Sequence, residues 1–188
     1  MPSSLADSVT GFAGSRLFAR GGLAAVARAA RASGGHSPVI LDDSTGRIVE
    51  VDLRGSVDDT LARLAPPSAA PKPIRGRPKL GVIAREVTLL PRHWDWLATQ
   101  PGGASAALRG LVDQARRETG DADAVRLAQE VTYRVMTTLA GDLPNYEEAT
   151  RALFARDRAR FEDLVTTWPK DVAAYVIELS ERVWPLSL

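Results

Sequence analysis

The chain has 188 residues, 45% of them hydrophobic, no cysteine, and a formal net charge of +1. That length and apolar content suffice for one ordinary domain or two small ones around a buried core, and the missing thiols exclude disulfides, thiolate metal sites and cysteine nucleophiles. A charge near zero excludes a wholly basic coat for nucleic acid, so any such role must come from charge that is unevenly placed.

The charge is uneven. Residues 1–65 carry seven Arg and seven acids, residues 66–93 carry six basic residues against Glu86, and residues 94–188 carry eleven basic residues against fifteen acidic ones. The positive surplus therefore sits in the middle of the chain. No run approaches the ~18 apolar residues of a spanning helix, and the first ten residues lack both a basic start and an apolar stretch. The expectation is a soluble, cytoplasmic protein with no membrane partner.

In chain order, two β-prone runs at 9–12 and 16–19 flank Ala13-Gly14-Ser15, a spacing that predicts a hairpin. An Ala-rich amphipathic helix is expected over 23–32, ended by Ser33-Gly34-Gly35. A second hairpin joins 39–41 to 48–53 through Asp42-Asp43-Ser44-Thr45-Gly46, where Asp, Ser and Gly supply turn chemistry. Ser56 and Asp59 form an acidic variant of a capping box that opens a helix over 57–64. Residues 1–64 thus read as a small ββαββα module.

Residues 65–84 form a Pro/Arg-rich linker, since repeated Pro removes donors and fixes φ. Residues 85–188 read as a short strand at 85–90 followed by five helices, which makes the chain α+β. Pro91 opens the first of these helices, and Ser105 is expected to cap the second, which ends near 117. Gly120-Asp121 restart the chain into a third over 122–140. A fourth runs from Pro144 to about 167 with Asp157 interrupting its apolar stripe, which predicts a kink or an exposed turn there, and Pro169 opens the last.

Lys72, Arg75, Gly76, Arg77, Pro78 and Lys79 lie within a basic, Pro-flanked stretch whose Arg-Gly-Arg-Pro centre resembles the core of an AT-hook. The resemblance implies DNA as a partner: glycine lets the backbone sit on the floor of a narrow A·T minor groove, and arginines are drawn to its negative potential. A solvated linker is the plain alternative.

The order strand, helix, glycine turn, helix over 85–117, with Leu90-Pro91 at the entry and Gly102-Gly103-Ala104-Ser105 at the turn, resembles a ribbon-helix-helix domain. The resemblance implies that two chains pair their strands and that the second helix's N-terminus, at Ser105 with Ala104, holds a phosphate. It places Arg85, Val87 and Leu89 outward and Glu86 and Thr88 inward. Val and Leu can touch a thymine methyl but cannot read donors and acceptors, so this is a poor reading face. Trp94 and Trp96 are two apart on a helix and cannot both face one core, so Trp96 is expected to be half exposed. Val87, Leu89, Trp94 and Trp96 are accordingly the candidate dimerisation residues of a homodimer.

No catalytic constellation is legible, and no cofactor, metal or small-molecule substrate is implied. Asp43-Ser44-Thr45-Gly46 resembles the nucleophile segment of aspartic proteases, but that chemistry needs two carboxylates sharing a proton and the chain holds one copy. His36 and His93 lie far apart in the chain without a partnered acid.

Residues 82–94, together with 136–144 and Glu147-Glu148-Ala149, resemble a bacterial family of unknown function across most of the chain. That resemblance implies a shared fold and no particular substrate. Two functions follow as expectations: a non-catalytic, DNA-associated or regulatory binding protein that dimerises through 85–90, or a protein-interaction adaptor whose basic stretch is only a spacer.

Overall fold

The computed structural model describes residues 8–32, 38–64, 83 and 85–184. They are mixed α and β, and they divide into two units, Met1–Pro66 with Ala122–Leu188 and, separately, Pro67–Asp121.

In the first unit, β1 (Val9–Ala13) and β2 (Arg16–Gly21) form the expected hairpin, and α1 (Leu23–Ala32) follows. β3 (Val39–Asp42) pairs antiparallel with the other edge of β1, giving the strand order β2-β1-β3. The period of two along β1 splits its side chains between two cores. Val9 joins Val26 and Ile40 on the α1 side, while Phe12 and Leu41 enter a larger cluster on the opposite face. Gly11 is required where it stands, because a Cβ there would lie 2.4 Å from Phe18 Cζ.

The ββαββα layout is not what forms. The run 48–53 is reduced to a single bridge between Leu41 and Ile48, with Val49 N–H donating to the Ile40 carbonyl at 2.8 Å. The side chains explain why the ladder stops. Asp52 accepts from Arg54 N–H, and Arg63 donates to the carbonyls of Asp52 and Arg54, so local partners replace the strand. α2 (Val57–Leu64) then opens on the expected capping box: Asp59 N–H donates to Ser56 Oγ at 3.0 Å and Ser56 N–H to Asp59 Oδ2 at 2.8 Å.

The rest of the first unit's core comes from the C-terminal helices: the later part of α4 (Gly103–Ala140), α5 (Tyr146–Ala155), α6 (Arg158–Val165) and α7 (Lys170–Ser180), closed by a 3-10 turn at Glu181–Val183. Val135, Met136, Leu153, Phe161, Val172 and Val176 are fully buried here and pack with Phe12 and Leu41.

Helix boundaries differ from the sequence expectation at Gly120, Pro144 and Pro169. Gly120 does not break α4, since an interior glycine costs only about 1 kcal/mol against alanine and leaves the hydrogen bonds in place. The turn expected at Asp157 forms and divides the helix expected over 144–167: Arg156 turns to φ +57, and the Asp157 carboxylate accepts from Arg160 N–H at 3.1 Å as the cap of α6. Pro144 and Pro169 precede their helices rather than beginning them. The Pro144 carbonyl instead accepts from the buried Trp168 Nε1 at 2.8 Å.

In the second unit, the strand expected at 85–90 does not form, Leu90 being extended at φ −67 and ψ 150, and Pro91 begins α3 (Pro91–Ala98) as expected. Gly102 and Gly103, at φ +78 and +75, turn the chain directly into α4. Ser105 therefore lies inside the first turn of α4 rather than at its cap, and its Oγ accepts from Arg109 at 3.4 Å. No helix among the described residues is long and apolar enough to cross a membrane.

Candidate functional site

The second unit holds the expected interface residues and has almost no core of its own. Leu97, 2% exposed, is its one buried large apolar side chain among the described residues. Ile83, Val87, Leu90, Trp94, Trp96, Leu111 and Val112 are all exposed, seven of the eleven large apolar side chains that the described surface presents. Trp96 is half exposed as expected, at 50%, and Trp94 nearly matches it at 42%. Singly scattered apolar residues need no account, but a concentration like this marks an interaction surface.

The segment 85–90 borders the helices of this unit. Ile83, Arg85 and Val87 line a hollow of about 950 Å³ with Ser105, Leu108 and Val112 of α4. Leu89 lines a second hollow of about 390 Å³ with Leu97, Leu108 and Leu111. Arg85, Glu86, Val87, Thr88 and Leu90 are all exposed and Leu89 is half-buried, so exposure does not alternate along 85–90.

The charge is segregated in the same way. The second unit carries nine basic and five acidic residues, the first fifteen basic and eighteen acidic. Every ion pair among the described residues lies in the first unit. Arg85, Arg92 and Arg109 of the second unit have no carboxylate partner there. The stretch holding Lys72, Arg75, Gly76, Arg77, Pro78 and Lys79 lies outside the described residues, as does His36.

Sequence reading missed a different kind of site, in the first unit. Asp43, assigned to turn chemistry, is fully buried beside α7. Its Oδ1 accepts from Thr10 Oγ1 at 2.7 Å and from Tyr175 Oη at 2.6 Å, and its Oδ2 from Ser8 Oγ at 2.8 Å and Arg20 Nε at 3.2 Å. Arg20 also holds Glu178, with Nη1 2.6 Å from Oε2. That hydrogen bond, more than the nearby Asp43, raises the guanidinium above its ordinary value against the opposing effect of burial. Burial and the Asp43 hydrogen bond push the Tyr175 hydroxyl well above a normal phenol. The turn is made by Asp42, whose Oδ1 accepts from Ser44 N–H, Ser44 Oγ and Thr45 N–H. A signal was available: Asp43, one residue past the end of β3, keeps the parity of Val39 and Leu41, whose side chains pack in the larger core. The four donors fill the carboxylate, and no second carboxylate faces it, so the cluster is a structural lock between sheet and helix and not an acid pair.

No group of three or more His, Asp or Glu placed to hold a metal occurs among the described residues. No curated protein and no solved structure matches the chain. Over residues 8–180, which take in the sheet, the lock and the second unit's segment 85–90, the sequence matches the family described as "Uncharacterized protein conserved in bacteria (DUF2239)", and the chain belongs to that family.

Proposed function

We propose that this is a non-catalytic, DNA-associated regulatory protein of the cytoplasm that works as a homodimer joined through the ribbon-helix-helix-like segment 85–117. The observation that carries the reading is the character of the second unit: seven exposed large apolar side chains and arginines without carboxylates, all within Pro67–Asp121. A second copy would cover the apolar part, and phosphates would answer the charge. Arg75 and Arg77 of the AT-hook-like stretch would lie along the backbone or in the minor groove. The first turn of α4, at Ala104 and Ser105, offers free N–H groups to a phosphate.

One observation favours a second reading, a protein-interaction adaptor. Glu86 is exposed within 85–90, and a phosphate backbone repels its carboxylate.

Fluorescence anisotropy with duplex DNA at several salt concentrations separates the two. The DNA reading expects affinity to fall steeply as salt rises, and Arg75→Ala/Arg77→Ala to lower both the affinity and the salt slope, by about one unit of slope for each phosphate no longer neutralised. No binding at low salt overturns it in favour of the adaptor. An indifferent double variant removes the hook from it.

A further inference from the structure

We infer that the hollow between α3 and the start of α4 binds a medium-chain monocarboxylic acid, with its apolar body against Trp96, Leu97 and Leu108 and its carboxylate on Arg92. The inference rests on neither the homodimer nor the DNA reading.

Residue spacing builds the hollow. Arg92, His93, Trp96 and Leu97 stand at i, i+1, i+4 and i+5 of α3, which sets them on one face of that helix, and Leu108 and Leu111 stand three apart on α4. Gly102 and Gly103, at φ +78 and +75, turn the chain from one helix into the other, and Leu89 completes the wall. The space is about 390 Å³ and lies wholly within the second unit, with Leu97 as its buried floor. Small-molecule sites span roughly 300–1,000 Å³ and combine apolar walls with a few polar groups.

The lining selects the class of ligand. Five of the seven lining residues are Leu or Trp, so the body of the ligand is apolar. The other two are Arg92 and His93, and no acid lines the hollow. Arg92 makes no ion pair among the described residues, which leaves its planar fork to take a carboxylate through two parallel hydrogen bonds. His93 adds a ring N–H in either neutral tautomer. An uncharged ligand leaves the Arg92 charge unanswered, and a nucleic-acid phosphate brings no apolar body to cover the leucines. The larger hollow beside this one lacks the same selectivity, because Asp113 lines it together with Arg85 and Arg109.

Titration calorimetry of the full chain with decanoate, kept below the concentration at which it forms micelles, tests the site, and decanol serves as the uncharged probe of the same length. Decanoate is expected to saturate one site per chain and to bind more tightly than decanol. Arg92→Ala is expected to weaken decanoate about tenfold, the loss of one charge-assisted contact, and to leave decanol unchanged. Leu111→Asp, at an exposed position where the fold tolerates it, sets a carboxylate in the wall and is expected to weaken both probes by about tenfold or more. Circular dichroism checks that both variants keep their helices. No saturable decanoate binding, decanol bound as tightly as decanoate, or an indifferent Arg92→Ala each overturns the proposal, and binding that survives Leu111→Asp overturns the hollow as its place. Light scattering on the same samples separates the site from the dimer: binding with a monomeric mass removes the dimer and leaves the site, whereas a dimeric mass without binding removes the site alone.

Discussion

The two units meet the same requirement, covering apolar surface, in opposite ways. The first, Met1–Pro66 with Ala122–Leu188, buries both faces of its small sheet and closes a polar lock around Asp43. The second, Pro67–Asp121, buries one large side chain and leaves both tryptophans at the surface. The first has the interior a folded domain needs by itself. The second has the apolar residues but not the layers to cover them, and in the proposed dimer the missing layer is another copy.

The largest expected effect tests the self-sufficiency of the first unit. Asp43→Ala leaves Arg20, Thr10 and Tyr175 without their shared acceptor and is expected to cost about 3–5 kcal/mol, as breaking a buried charge pair does. A urea titration by circular dichroism measures it. A loss within experimental error of the parent would show that the lock does not hold the sheet to α7.

A paired substitution sharpens the contrast between the units. Leu153→Ala removes a fully buried side chain and is expected to cost about 2–5 kcal/mol in unfolding. Trp96→Ala, at the surface of the second unit, is expected to change the unfolding of a dilute monomer by only about 0.5 kcal/mol or less. In the proposed dimer the same change is expected to weaken self-association by roughly 2 kcal/mol, as aromatic anchors do. Sedimentation equilibrium reads the second number. If Trp96→Ala unfolds the chain as Leu153→Ala does, the comparison fails.

Cap chemistry supplies a smaller step. Ser56→Ala removes the acceptor of Asp59 N–H, and the expected loss is about 1 kcal/mol, read from the same urea midpoint.

Alkaline titration probes the lock without mutation. The Tyr175 hydroxyl is raised in the folded state, so its contribution is complete below the ordinary phenol value of 10.0 and is lost as pH rises above it. Tyr175 is expected to ionise only as the chain unfolds, seen as a rise in phenolate absorbance that coincides with the loss of helical circular dichroism and is absent from Tyr175→Phe. A Tyr175 ionisation that precedes unfolding would contradict the buried hydrogen bond.

Local chemistry was the readable part of this molecule. The Gly14 hairpin, the capping box at Ser56 and Asp59, the Pro91 helix start and a half-exposed Trp96 all depend on residues within a few positions of one another, where hydrogen-bond reach and φ limits act directly. The charge surplus in the middle of the chain was equally plain, because counting needs no fold. Even the parity of Asp43 with Leu41 was there to read, although its partners were not.

Other choices fell to tertiary structure, because local signals are silent or divided on them. Gly120 is helical because the α4 hydrogen-bond ladder tolerates it, although its local signal is that of a helix stop. The buried carboxylate of Asp43 meets Tyr175, 132 residues further on, because the sheet and α7 share one core. Residue order alone set which short elements form and where charge accumulates; burial, a property of distant neighbours, chose which faces turn inward and which remain to be covered.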